Sequence, residues 1–106
     1  MRGHTGFRII YPKDYHGQWE EECVFKGWLA GVKVRIEDDR VYALTFVDIH
    51  RLAQMLDDQV ATGLAHYAEP GLVIVTELTR SNIEASIPHL VSEHFFDALC
   101  PIREDP

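Results

Sequence analysis

The segment from residue 32 to residue 78 constrains the fold most, because the period of its apolar residues changes twice. Over 32–37, valine and isoleucine alternate with charged residues, which is typical of a strand with one buried face. Asp38-Asp39 supplies turn chemistry, and residues 41–47 are rich in β-branched and aromatic side chains. The two runs therefore predict an antiparallel hairpin.

An amphipathic helix is predicted over 49–64. At about 100° per residue its apolar residues form one stripe. The members of this stripe are Ile49, Leu52, Ala53, Leu56, Val60 and Leu64. Asp48 comes directly before it, and an aspartate carboxylate can accept hydrogen bonds from the open N–H groups of a helix start. We therefore expect Asp48 to be the N-cap.

The next apolar run, over 72–78, follows a Pro70-Gly71 breaker and is almost unbroken. Such a run is typical of a strand buried on both faces, so we expect it to be central in the sheet. Strand 41–47, helix 49–64 and strand 72–78 together predict a crossover unit.

The segments on either side are less regular. Residues 6–11 predict a first strand, which Pro12 ends because proline cannot donate to a ladder. Residues 13–18 read as a loop, residues 23–30 as a further strand, and Gly31 as a bulge or turn.

A second helix is predicted after residue 78, with Ser81 or Thr79 as its cap. Pro88 lies inside its pattern, lacks an N–H and clashes with the preceding turn. We therefore expect a kink or two short helices that meet near residues 86–88.

These elements sum to an α+β fold with the order β-β-β-β-α-β-α. We expect a mixed or mostly antiparallel sheet of four to five strands with both helices on one face. The length of 106 residues suits one domain over 1–106, with flexible ends at 1–5 and 101–106.

The net charge limits the kinds of partner that the protein can bind. Seventeen acidic residues against ten basic ones give a net charge of −7, which disfavours nucleic acid and anionic membrane surfaces. No apolar run approaches the ~20 residues that span a bilayer, and the N-terminus leads into no apolar signal segment. We expect a cytoplasmic protein whose partner is another protein or a second copy of itself.

No motif in the sequence identifies a reaction or a ligand. Phosphate-binding glycine loops, nucleophile elbows and zinc-binding helix motifs are all missing from the sequence. The six histidines show no ligand spacing, and Cys23 and Cys100 lie far apart in the chain. The sequence therefore predicts no metal and no cofactor, and it favours a non-catalytic protein.

Two regions carry the candidate site residues. The first is an aromatic loop with Tyr11, Tyr15, His16 and Trp19. Aromatic side chains in a polar loop either fold back onto the core or present a binding surface, and both alternatives stay open here.

The second region follows Pro88. His94 falls in the apolar stripe of the predicted helix, either as a core residue with satisfied ring nitrogens or as a group lining a pocket. Phe96 points away from that stripe, so it either tucks in beyond the helix end or contacts a second subunit.

Two functions are consistent with these features. The first is a small acidic interaction or self-associating module. The second is a ligand-binding protein or small enzyme with a pocket between the sheet and the Pro88-broken helix. The sequence does not decide between them, since small α+β scaffolds host many functions.

Overall fold

A computed structural model describes residues 6–36 and 39–102 of the chain. The elements in chain order are β1 (Phe7–Ile10), α1 (Gly17–Lys26), β2 (Trp28–Ile36), β3 (Val41–Asp48), α2 (Ile49–Ala61), β4 (Leu72–Val75) and α3 (Arg80–Ser92), followed by a 3₁₀ helix over Phe95–Ala98. The α+β class is confirmed. Residues 1–5 and 103–106, for which flexible ends were predicted, lie outside the described residues, as do Glu37 and Asp38.

The strands of the described chain form a four-stranded mixed sheet in the order β1-β2-β3-β4. β1 pairs with β2 and β2 with β3 in antiparallel fashion, whereas β3 and β4 are parallel. The predicted hairpin and the β3–α2–β4 crossover are therefore confirmed. The register of β2 against β3 shifts between Leu29 and Val32, where Gly31 has φ of +79°, so the predicted bulge is confirmed as well.

One face of the sheet carries the main core. Alternate residues of β2, β3 and β4 point to this face and pack against α1, α3 and the 3₁₀ helix. The fully buried members include Val32, Val34, Leu44, Phe46, Ile83 and Ile87. The alternation predicted for β2 places its valines here, as expected.

The start of α2 follows its predicted chemistry. The Asp48 carboxylate accepts a hydrogen bond from the Arg51 N–H at 2.8 Å, which satisfies one of the open donors of the first turn. The helix ends at Ala61, three residues before the predicted end. Gly63 follows with φ of +91°.

The prediction of a loop over 13–18 and a strand over 23–30 is wrong in part, because residues 17–26 form α1. The β-branched and aromatic content of residues 23–25 suggested a strand. Burial of Cys23 against the sheet and a left-handed cap at Gly27 outweigh that preference.

The prediction that both helices share one face is wrong. Trp28 pairs with Val47, so their side chains share the face opposite Phe46. The Arg51 guanidinium of α2 lies 5.9 Å from the Trp28 ring centroid, and none of the described core cluster comes from α2. α2 therefore covers one face of the sheet, and α1 and α3 cover the other.

The predicted central position of the run 72–78 is also wrong. β4 spans only Leu72–Val75 and lies at an edge of the sheet. Val73 and Val75 reach the core, but Ile74 points to the α2 face and is 52% exposed.

The C-terminal helix begins at one of the two predicted caps, and it is one helix rather than two short ones. α3 is capped by Thr79, whose hydroxyl accepts from the Asn82 N–H at 3.1 Å, and it continues through Pro88. Pro88 is exposed, and burial of Ile83 and Ile87 holds both turns to the core. Beyond the 3₁₀ helix, the Ile102 N–H donates to the Val41 carbonyl at 2.7 Å, so this part of the predicted flexible end is paired.

Candidate functional site

The aromatic loop is held together by Arg80. The rings of Tyr11 and Tyr15 stack with their centroids 4.9 Å apart, and the Arg80 guanidinium lies 4.3 Å and 4.8 Å from those centroids. Arg80 also donates to the Glu20 carboxylate at 2.8 Å and to the Tyr15 carbonyl at 3.2 Å. The aromatic faces are therefore occupied by a cation from the same chain.

The titration of this Arg80 cluster follows from its contacts. The hydrogen bond from Arg80 lowers the pKa of Glu20, and the same bond raises the pKa of Arg80. Burial raises the pKa of Tyr11, and its hydroxyl donates to Glu84 at 3.0 Å, which adds to the shift. The cluster joins α1 and the preceding loop to α3, and the lowered pKa of Glu20 and raised pKa of Tyr11 keep the first ionised and the second neutral at neutral pH.

The other two aromatic-loop residues lie outside this cluster. His16 is exposed and occupies the N-cap position of α1 without a side-chain capping bond. Trp19 is half-buried, and the Lys26 ammonium lies 5.3 Å from its ring centroid. The structure therefore brings Tyr11 and Tyr15 together, leaves His16 exposed and packs Trp19 in part against the core.

His94 and Phe96 follow the end of α3 rather than lying within it. His94 is exposed, has φ of +62°, and its Nδ1 lies 3.4 Å from the Asp97 carboxylate. Phe96 is buried, with its ring centroid 5.1 Å from that of Tyr42. The helical spacing used for the prediction is wrong here because α3 stops at Ser92.

A small hollow lies beside these residues. Its volume is about 160 Å³, and it is lined by Ile36, Arg40, Tyr42, Val91, His94, Phe96 and Asp97. This hollow is smaller than the ~300 Å³ typical of small-molecule sites. His94 borders this hollow, but its side chain is 78% exposed, so it is not a core residue.

A larger cavity, of about 410 Å³, lies at the edge of β3. It is lined by Tyr42, Ala43, Pro70, Ala98, Leu99, Cys100 and Ile102. Cys100 is exposed, whereas Cys23 is buried, and both are free thiols. The cavity is mainly apolar and falls in the size range of small-molecule sites.

The backbone of Ala43 points toward this cavity. The Val41 carbonyl accepts from Ile102, and the Thr45 N–H donates to the Gly71 carbonyl at 3.0 Å. Alternate residues of a strand direct their hydrogen-bonding groups to the same edge, so those of Ala43 lie between these two bonds. The cavity therefore offers an apolar wall beside backbone hydrogen-bonding groups.

Among the described residues, several exposed apolar side chains lie on the opposite side of the sheet. We call this region the α2–β4 surface. It consists of Ile49, Ala53, Val60, Leu64 and Ile74. No residue of α2 is fully buried, although its apolar stripe was the strongest helix signal in the sequence. Apolar patches of a few hundred Å² on a protein surface are often interaction sites.

The geometry of α2 fixes where this surface lies. Its half-buried residues, which face the sheet, are Leu52, Met55, Leu56 and Gln59. At about 100° per residue, Arg51 lies about 90° to one side of them. Ile49 and Val60 lie about 90° to the other side. Because Arg51 reaches Trp28 on β2, the flank with Ile49 and Val60 faces the edge of β4.

The edge of β4 is open among the described residues. The Thr45 bond to Gly71 means that residues 71, 73 and 75 direct their backbone groups toward β3. The N–H and C=O of Ile74 therefore point outward, as do the C=O of Leu72 and the N–H of Thr76. An open edge beside an apolar flank is the arrangement that another strand can extend.

Sequence reasoning did not find this surface, although two of its signals were visible. The apolar stripe of α2 extends beyond the residues that face the sheet, and the run over 72–75 has the composition of a buried central strand. Both signals were assigned to the core of one chain.

Comparison with known proteins gives no further guide, because no family model, no curated protein and no solved structure matches the chain. Within the described residues, no helix is long and apolar enough to cross a membrane. Over residues 6–36 and 39–102, no three histidine, cysteine, aspartate or glutamate side chains converge in a way that could hold a metal ion.

Proposed function

We propose that this protein is an interaction module that binds a protein partner through the α2–β4 surface. The observation that carries the proposal is the exposure of Ile49 and Val60, each 62% exposed, beside an open strand edge. In a monomer this apolar area stays in water at a cost of about 25 cal/mol per Å². A partner that covers it regains that free energy.

The rest of the molecule supports this assignment. The other surface that the sequence suggested, the aromatic loop, is occupied internally by Arg80. Tyr15 and Phe96 are buried and cannot contact a partner without local unfolding. His16 is the N-cap residue of the acidic helix α1, and Trp19 lies within this helix and packs in part against the core.

Photo-crosslinking in cells tests the proposal. A benzophenone amino acid at Val60 is expected to give a discrete crosslinked product. The same amino acid at Phe25, which is 91% exposed on α1, serves as the control and is expected to give none. Mass spectrometry of the product identifies the partner. Equal or absent crosslinking at the two positions would contradict the proposal.

A second candidate function is small-molecule binding in the 410 Å³ cavity, and the position of the Ala43 backbone favours it. The fitting chemistry is a flat apolar group that carries an amide, because the apolar wall takes the ring and the backbone takes the amide. A fragment of this size binds with a Kd of about 1 mM.

N-phenylacetamide is a suitable probe for that cavity. Titration followed by two-dimensional NMR is expected to shift the Ala43 amide resonance saturably. Ala98→Trp fills the cavity and is expected to abolish the shift, whereas Ala85→Trp, on the exposed side of α3, leaves it unchanged. A shift that persists in Ala98→Trp, or no shift in the unmodified protein, would exclude this function.

A further inference from the structure

We propose that the partner bound by the α2–β4 surface is a second copy of this chain, paired antiparallel through β4 about a two-fold axis at Ile74. This inference rests on the proposed function, because it names the occupant of the same surface. The pairing joins two four-stranded sheets into one continuous sheet of eight strands.

The backbone of β4 is self-complementary in this register. The outward N–H of Ile74 donates to the C=O of Ile74 in the second copy, and the reverse bond follows by symmetry. The N–H of Thr76 likewise reaches the C=O of Leu72 in the second copy. The Ile74 bonds form within β4, and Thr76 lies one residue beyond its end.

The sequence of β4 supports the same conclusion. Leu72–Val75 reads Leu-Val-Ile-Val, which is the composition of a strand with neighbours on both edges and cover on both faces. Soluble proteins protect exposed edges with charges, prolines or bulges, and these four residues carry none of them. Pairing with a second copy makes β4 a central strand and covers Ile74.

The side chains of the α2–β4 surface also fit this pairing. Register partners in an antiparallel pair share one face, so both copies of Ile74 lie on the α2 side. The same axis sets the two α2 helices antiparallel, with the flanks that carry Ile49 and Val60 turned toward each other.

The area is adequate for a dimer of modest affinity. Ile49, Val60, Leu64 and Ile74 are between 45% and 62% exposed. These fractions correspond to about 400 Å² of apolar area per copy, about half of what each partner contributes to a standard interface. The strand backbone, Leu72 and Thr76 add to it. We expect a Kd of about 10 µM, the weak end of the range for specific interfaces.

Light scattering coupled to size exclusion tests the dimer. At about 100 µM in the eluted peak, a Kd of about 10 µM places about four-fifths of the chains in the dimer, so the expected weight-average mass is about 1.8 times the 12.2 kDa of one chain. Ile74→Lys is expected to raise the Kd at least about 100-fold, since a symmetric interface feels each substitution twice. Phe25→Lys is the matched control, because it places the same charge at an exposed apolar position on α1 and leaves the dimer intact.

Disulfide trapping tests the register. In a Cys100→Ser background, Ile74→Cys places two thiols at the two-fold axis, where Cα atoms about 5.5 Å apart suit a disulfide. Mild oxidation is expected to give a covalent dimer. Thr76→Cys is the control, because residue 76 faces residue 72 of the second copy and not itself. More efficient trapping at 76 than at 74 would overturn the register.

The remaining outcomes separate this inference from the proposed function. A monomer at 100 µM, or a dimer that survives Ile74→Lys, overturns the inference. If the benzophenone at Val60 then crosslinks to a different protein, the interaction module stands and only its occupant changes. Circular dichroism of Ile74→Lys checks that the variant is folded, which the exposure of Ile74 leads us to expect.

Discussion

Phe96→Ala is expected to destabilise the protein by about 3–5 kcal/mol, the usual cost of removing a buried phenylalanine ring. Phe96 is only 5% exposed, and its ring contacts Tyr42 on β3 and the edge of Phe95, with a centroid distance of 5.6 Å to the latter. The cavity left behind lies between the sheet and the 3₁₀ helix, where only a short segment is free to collapse into it. Urea unfolding measures the change.

Phe25→Ala provides the control for that experiment. Phe25 is 91% exposed, so its removal is expected to change stability by less than about 0.5 kcal/mol. Both variants are compared at one low protein concentration, so that self-association contributes equally to each free energy of unfolding. If Phe96→Ala lowers the free energy of unfolding by less than about 1 kcal/mol, the 3₁₀ helix does not pack on the sheet. Phe96 would then again be a candidate interface residue.

The parts of the fold that the sequence predicted are those set by local chemistry. The β2–β3 hairpin follows from period-two alternation and a turn, and the start of α2 follows from an aspartate before a helical stripe. In these segments, the pattern of neighbouring residues is enough to predict the element.

The parts that were missed depend on distant contacts. α1 contains a β-like run, yet burial of Cys23 against the sheet and the Gly27 cap make it a helix. Pro88 stays inside α3 because Ile83 and Ile87 are fixed by the core on either side of it. Local propensity was outweighed by tertiary packing in both places.

The sequence also missed the Arg80 cluster and the α2–β4 surface, because both depend on contacts between distant residues. The pairing of Tyr11 and Tyr15 with Arg80 joins positions more than sixty residues apart, so the sequence could not show that their aromatic faces are occupied. The stripe of α2 and the apolar run of β4 were recognised, but periodicity cannot tell whether a stripe is covered by the same chain or by another one. Only the strand order, which places β4 at an edge of the sheet, shows that this apolar stripe is not fully covered by the same chain.

The second large effect is expected at Gly27, where three elements meet. Its N–H donates to the Cys23 carbonyl at 2.8 Å and closes α1, and its carbonyl accepts from the Asp48 N–H at 3.0 Å. Gly27 has φ of +70°, which favours glycine. A methyl group here would also collide with the Asp48 carboxylate that caps α2.

Gly27→Ala is therefore expected to cost about 3 kcal/mol, from left-handed backbone strain of about 1–2 kcal/mol and a weakened N-cap of about 1 kcal/mol. Thermal unfolding is expected to shift down by about 15 °C. Gly63→Ala is the matched control. Gly63 has φ of +91° but open space around the added methyl group, so it isolates the backbone strain.

A double-mutant cycle separates the collision from the strain. Asp48→Ala removes both the cap and the colliding carboxylate, so adding Gly27→Ala to it is expected to cost no more than Gly63→Ala does. If Gly27→Ala costs the same with and without Asp48, the carboxylate moves aside without losing its bond to Arg51. The junction of α1, β2 and α2 would then adapt to the methyl group. Glycine would be needed at position 27 for its backbone conformation and not for the close approach of Asp48.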